Sequence, residues 1–223
     1  MQIYIVGSHG AGKTTLAKLI SKKFGLRYVR ELARDILDYK NWTWKEMKPV
    51  DYYMFECALA LYNSEKRFMN NFVSDRSIID VSAYITYYLN KHKEEIIKSD
   101  IYEEFVELQQ FTFKRCNHDL RDNTIYIYAT SINAGDESSI FVSNFVERRL
   151  KILGIEEYKS YSYSQTPPLY ITYFKPNTDD LEKGLEKSKE FIDNILVPVI
   201  QKINLRENLN NSGHCGKCFK NFE

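Results

Sequence analysis

"GSHGAGKTT", residues 7–15, decides how this chain is read. It fits G-x-x-x-x-G-K-[ST], with Gly7, Gly12, Lys13 and Thr14 in the defining places. Glycines let successive backbone N–H groups approach a phosphate closely, and the helix that follows adds its positive N-terminal end. The expected nucleotide-binding set is Gly7, His9, Gly10, Ala11, Gly12, Lys13, Thr14 and Thr15. Lys13 would reach the β- and γ-phosphates of ATP, and Thr14 would ligate Mg²⁺. The flanks suit the motif. "QIYIV", residues 2–6, is a β-branched run, and "KTTLAKLISKKFG" spaces Leu16, Leu19, Ile20 and Phe24 as a helix does before Gly25 stops it.

Outward from the loop, the same alternation repeats. Strands are predicted at 2–6, 27–30, 72–75, 124–130 and 168–174, with helices over 31–39, 51–71, 76–89, 94–115, 145–154 and 178–204. Strand–helix alternation predicts a parallel sheet covered on both faces, with ligands at the carboxyl ends of the strands. The expectation is therefore an α/β, three-layer P-loop fold with a five-stranded parallel sheet. Residues 1–204 would form that domain, with a polar lid at about 130–147, and an Asn-rich tail would occupy 205–223.

Composition narrows the partners. Thirty-one basic and 30 acidic residues leave a net charge of +1, too little for a whole-molecule field that recruits nucleic acid or anionic membrane. No run of about 18 apolar residues occurs and the N-terminus leads into the phosphate loop, so the expectation is a cytoplasmic protein in a reducing compartment. Four cysteines are too few and too scattered for a disulfide framework.

Two further motifs lie at predicted strand ends. Glu31 follows the second strand, where a carboxylate would accept the proton of an incoming hydroxyl. Arg34, one helical turn on, would hold an acceptor or transferring phosphate; the bland alternative is a surface Glu–Arg pair. Asp75 and Arg76 end the third strand. Asp75 would join the Mg²⁺ shell or act as base, and Arg76 would clamp phosphate; the bland alternative is that Asp75 caps the next helix at Ile78. Remodelling ATPases end the corresponding strand in Asp-Glu and need a further helical domain. Asp75-Arg76 in a chain of 223 residues argues for group transfer instead.

Taken in order, "GSHGAGKTT", "RELARDI" and "SDRSIIDVSAY" resemble the P-loop nucleoside and nucleotide kinase group. The likeness is nearest to the NadR-type ribosylnicotinamide kinase and its AAA-like ATPase/kinase family, with similarity to deoxynucleoside and thymidylate kinases. It covers about residues 2–90 by motif. It implies that Lys13 and Thr14 bind MgATP, that Glu31 or Asp75 handles the acceptor hydroxyl, and that Arg76 contacts phosphate. Such kinases close an arginine-rich lid, yet "TSINAGDESSIFVSN" carries no basic residue. Arg148 and Arg149 just beyond it are the candidates, and Arg149 is included among the catalytic residues.

The expected function is transfer of the ATP γ-phosphate to a nucleoside, nucleoside monophosphate or related ribosyl compound. Trp42, Trp44, Tyr52, Tyr53 and Phe55 fall where an acceptor would sit; Trp42 and Tyr53 are the candidates for stacking a base, against the commoner fate of core packing. The competing functions are a polynucleotide kinase, served by Lys18, Lys22, Lys23, Arg27 and Arg30, and a nucleotide-dependent regulator. No Asn-Lys-x-Asp turn is present to select guanine, which favours ATP. Cys215 and Cys218 form one C-x-x-C, half of a zinc site that Cys116 and His118 or a second subunit would complete. Redox exchange and thiols without a role are the other readings, and a homodimer is compatible with all of them.

Overall fold

The structure is a computed structural model, described here for residues 1–43, 46–118, 124–130, 136–158, 169–174 and 181–204. Two compact units are present, Met1–Asn177 and Thr178–Glu223.

In the first unit, β1 (Gln2–Val6) leads through the phosphate loop into α1 (Lys13–Phe24). Then come β2 (Arg27–Val29), α2 (Ala33–Lys40), α3 (Pro49–Glu65), β3 (Phe72–Asp75), α4 (Ile78–Lys91), α5 (Lys93–Lys98) and α6 (Tyr102–His118). β4 (Thr124–Thr130), α7 (Glu137–Ile152), β5 (Glu156–Glu157) and β6 (Leu169–Phe174) complete it. The sheet order is β2-β3-β1-β4-β6-β5, and every pairing is parallel.

The sheet thus has six strands where the sequence predicts five. β5 is two exposed glutamates pairing with Leu169 and Tyr170, so it carries no apolar alternation by which to be read. The helix predicted over 51–71 ends at Glu65, a 3₁₀ turn following it, and other helix ends differ too. The helix predicted over 94–115 is two, parted at Ser99–Ile101, where Asp100 takes a φ of +56°. The helix predicted from 145 already starts at Glu137, because the Asp136 side chain caps it by accepting from Ser139 N–H at 2.7 Å. The helix after β3 is capped by Ser77, with Asp80 closing a capping box, and not by Asp75.

Parallel strands covered on both faces must be apolar throughout, and all five residues of β1 are buried. Tyr4 stacks on Tyr126 across the sheet and meets Phe72 edge-on, at centroid distances of 5.5 and 5.3 Å. Beside the sheet, α3, α4 and α6 join through Tyr52, Tyr88 and Phe105, with Tyr52 and Tyr88 stacked 3.7 Å apart. Each large side chain buried in this way contributes about 1.5–3 kcal/mol. Register then positions the site. Ile5 pairs with Asp75 and Val29 with Ser74, so the ends of β1, β2 and β3 deliver Gly7, Glu31 and Arg76 to one rim.

The second unit holds α8 (Leu181–Phe191), which widens into a π-turn over Ile192–Leu196 and stays helical to residue 204. Ile192, Leu196, Val199 and Ile203 bury its apolar face. Among the described residues, no helix is long and apolar enough to cross a membrane.

Gly7 is where the loop leaves the sheet, with a φ of +130°. A Cβ there would fall 2.0 Å from the Ala129 carbonyl oxygen of β4, while one on Gly10 would meet nothing within 4 Å. Gly7→Ala is expected to cost roughly 3 kcal/mol or more of stability and Gly10→Ala about 1 to 2 kcal/mol, which thermal or denaturant unfolding of the two variants measures.

Candidate active site

The phosphate loop is held open from below. Gly7 N–H donates to Asp80 Oδ1 at 2.8 Å, and the other oxygen of the same carboxylate accepts from Ser77 N–H at 2.8 Å. One buried side chain therefore fastens the start of the loop to the start of α4. Lys13 Nζ folds back to donate to the carbonyls of Gly7 (3.0 Å) and Ser8 (2.6 Å). Burial lowers the Lys13 pKa to about 8; Arg76 adds to that shift, and Asp80, Asp75 and Glu31 oppose it.

Thr14 and Asp75, forecast as metal ligands, meet directly: the Thr14 hydroxyl donates to Asp75 Oδ2. Asp75 Oδ1 is buried without a hydrogen-bond partner. Two hard oxygens side by side, one with an unused lone pair, are a donor set that suits Mg²⁺, which takes few protein ligands and completes its shell with phosphate and water. Among the described residues, no group of three or more His, Cys, Asp or Glu is placed to hold a metal by itself. Cys116 is buried on α6, and Cys215 and Cys218 lie outside the described residues.

Glu31 and Arg76 also come together, with Arg76 Nε 2.5 Å from Glu31 Oε1. The guanidinium lies over the Tyr84 ring, 4.8 Å from its centroid. Arg76 itself has a φ of +93°, a strained conformation for a residue with a side chain. It is this backbone twist that sends consecutive side chains apart, Asp75 to Thr14 and Arg76 to Glu31. Arg34 is exposed on α2, yet its charge is felt at His9, as are those of Arg76 and Lys13. Burial, then Arg76 and Lys13, hold the His9 imidazole below its ordinary pKa. The loop's mouth is thus ringed by cations.

The remaining forecast residues lie elsewhere. Arg149 packs on α6, its guanidinium 4.7 Å from the Phe113 ring centroid and donating to the Phe113 carbonyl (3.1 Å) and Asn117 Oδ1 (3.2 Å). At 1.5 Å per residue it stands about 18 Å along α7 from the end that starts at Glu137. Arg148 is exposed. Tyr52 and Phe55 are core residues, and Tyr53 is half-buried edge-on to Phe105 at 5.3 Å. Trp42 is half-buried near Lys40, whose Nζ is 5.8 Å from its ring centroid, and Trp44 lies outside the described residues.

Residues not forecast complete the site. Behind Glu31 and Arg76 is a cavity of about 10 Å³, the size of one water, lined in part by Glu56, Asn63, Lys66 and Tyr84. Glu56, Leu59 and Asn63 recur at helical spacing on the buried side of α3 and Lys66 follows just beyond its end, so polar residues at core positions were the available signal. Asp80 had a signal too, since Ser77-x-x-Asp80 is the pattern of a capping box.

Burial pushes the Glu56 carboxyl up to about 8, opposed by Tyr52 and Arg76 and reinforced by Glu31. Between its unfolded value near 4.5 and that folded value, the native chain keeps a proton that the unfolded chain releases. Stability is therefore lost as pH rises from about 4.5 to 8 and levels off above. Glu56→Gln is expected to flatten that slope, which denaturant midpoints measured at intervals from pH 5 to 8 would register.

Comparisons with known proteins follow the same lines. Residues 2–122 match a family described as an AAA domain. No curated protein matches the sequence. Among solved structures, the fold is similar to that of a NadR protein in complex with NR and of a NadR protein in complex with NAD and AMP-PNP. Each is 18% identical, with a TM-score of 0.53, over 86% of this chain and 48% of the other. The chain thus spans about half the length of those NadR chains. A deoxyadenosine kinase from M. mycoides with bound dCTP is 16% identical, with a TM-score of 0.47, over 87% of this chain and 100% of that one.

Proposed function

The chain belongs to the AAA domain family, its phosphate loop lying within the matched residues 2–122, and from there we propose that it is an ATP-dependent phosphotransferase. Its acceptor in this reading is a nucleoside, a nucleoside monophosphate or a related ribosyl compound. The observation that carries the proposal is the meeting of Lys13, Thr14, Glu31, Asp75 and Arg76 at the carboxyl ends of adjacent parallel strands. A nucleotide-binding loop needs only the first two; a carboxylate and an arginine beside them are what transfer to a hydroxyl requires. NadR bound to NR in one complex, and to NAD and AMP-PNP in another, is what suggests a small ribosyl or nucleoside acceptor.

In this reading the loop's N–H groups and Lys13 cradle the phosphates, Lys13 exchanging the Gly7 and Ser8 carbonyls for phosphate oxygens. Thr14 and Asp75 would hold Mg²⁺, which when bound neutralises charge on the β- and γ-phosphates. Glu31 orients the acceptor hydroxyl and takes its proton. For that it must release Arg76, whose guanidinium then turns to the transferring phosphoryl group. The chemistry is mostly positioning and charge neutralisation, and little of it is covalent work by the protein. Arg149 stays on α6, so arginine assistance rests on Arg76 and Arg34.

The test is incubation with γ-labelled ATP, Mg²⁺ and a panel of nucleosides, nucleoside monophosphates, nicotinamide riboside and 5′-hydroxyl oligonucleotides. Label is expected on one small acceptor. Lys13→Ala should reduce transfer by about 100-fold or more, and Glu31→Gln by a similar factor while ATP still binds. Label only on oligonucleotide would move the acceptor to a polynucleotide. ATP binding without transfer to any acceptor would overturn the proposal in favour of a regulator.

A further inference from the structure

Lys66 follows the last residue of α3, in a 3₁₀ turn, and is only 1% exposed. A lysine is rarely so buried unless its ammonium is fully engaged. All three of its donors are used. Nζ donates to Asn63 Oδ1 at 2.8 Å, to Ser74 Oγ at 2.7 Å and to the Arg76 carbonyl at 3.3 Å. Ser74 Oγ in turn donates to the same Arg76 carbonyl at 2.8 Å. The face of the Tyr62 ring covers the ammonium, 4.9 Å from centroid to Nζ.

The target of these bonds is the one strained residue of the site. A backbone held at a φ of +93° persists only if its surroundings over-determine it. On one side of Arg76, its N–H donates to the Ile5 carbonyl of β1 at 3.0 Å. On the other, its carbonyl points into the protein, where Lys66 and Ser74 supply the donors. With both peptide groups pinned, the side chain leaves the backbone on the side where its guanidinium lies over Tyr84 and meets Glu31.

We propose that Lys66 is a positioning residue: by holding the Arg76 carbonyl it fixes the backbone turn that presents the Arg76 guanidinium to the phosphoryl group, without itself touching a reactant. The inference rests on the phosphotransferase reading for its kinetic consequence, but not for its structural one. Ser74 shares the task, and Asn63 holds Lys66 in place by accepting its remaining proton.

The experiment is a double-mutant cycle between Lys66→Met and Arg76→Ala, read in transfer from γ-labelled ATP. Lys66→Met fills the space and removes every donor; it should lower kcat by about tenfold or more and leave the KM for MgATP within about twofold. The double variant should be no slower than Arg76→Ala alone, because the lysine has nothing left to position. Lys66→Gln, which keeps N–H donors without the charge, should recover part of the loss. Losses that multiply in the double variant, or a Lys66→Met enzyme as fast as wild type, would overturn the inference. Should Lys66→Met not fold, Ser74→Ala takes its place in the cycle with the same expectation at smaller size. Should the wild-type protein label no acceptor at all, the phosphotransferase reading fails by itself. The inference is then decided by a crystal structure of Lys66→Met: Arg76 displaced from Glu31 supports it, and Arg76 unmoved overturns it.

Discussion

A single carboxylate, that of Asp80, anchors the rest of the site. Its two oxygens accept from Gly7 N–H and Ser77 N–H, so the first amide of the phosphate loop and the amide of the residue capping α4 share one partner. Burial raises the Asp80 pKa, while Lys13, Arg76 and the two amide donors pull it back down. The consequence is geometric. With Gly7 fixed, the loop keeps its curvature without a phosphate inside it; with Ser77 fixed, the two residues before it, Asp75 and Arg76, have little room to move. Between these tethers the backbone that would cradle a phosphate is held in place, while the Lys13 and Arg76 side chains are engaged with groups of the protein itself.

Charge in the site is balanced in pairs and is not simply positive. Lys13, Lys66 and Arg76 sit among Glu31, Asp75 and Asp80, all with little or no exposure. In such a medium an unbalanced cation is costly, and the lowered pKa values of Lys13 and Lys66, about 8 and about 7, are the sign of that cost. A polyanion held by the loop would offset that cost at Lys13, whose Nζ lies against the loop's own carbonyls. The loop thus gains more from a polyanion than the number of its hydrogen bonds suggests. At His9 burial, with the same cations adding to it, lowers the imidazole pKa and so disfavours a further positive charge at the mouth.

How much of this was legible in the sequence follows from the range of each interaction. The phosphate loop, its strand and its helix are local in sequence, and residues 2–24 read without ambiguity. The acid and arginine at the ends of β2 and β3 were legible because parallel sheets put strand ends together, and the register of β1, β2 and β3 does so here. β5 was not, because two glutamates become a strand only through β6. The contacts of Arg149 were not legible because its approach to Phe113 and Asn117 depends on how α7 lies against α6, which no local pattern encodes. Lys66 and Glu56 were passed over since a charged residue on an amphipathic helix is ordinarily solvated, and only tertiary packing turns that face of α3 inward.

The placement of the tryptophans has an optical consequence. The chain has two, Trp42 and Trp44, both in the short connection between α2 and α3, against 17 tyrosines spread through sheet and helices. Indole emission from this protein therefore arises from one short stretch of the chain. Tyrosines pass energy to it the more efficiently the nearer they lie. The molecule carries a built-in reporter of the segment joining α2, where Arg34 lies, to α3, where Glu56 lies.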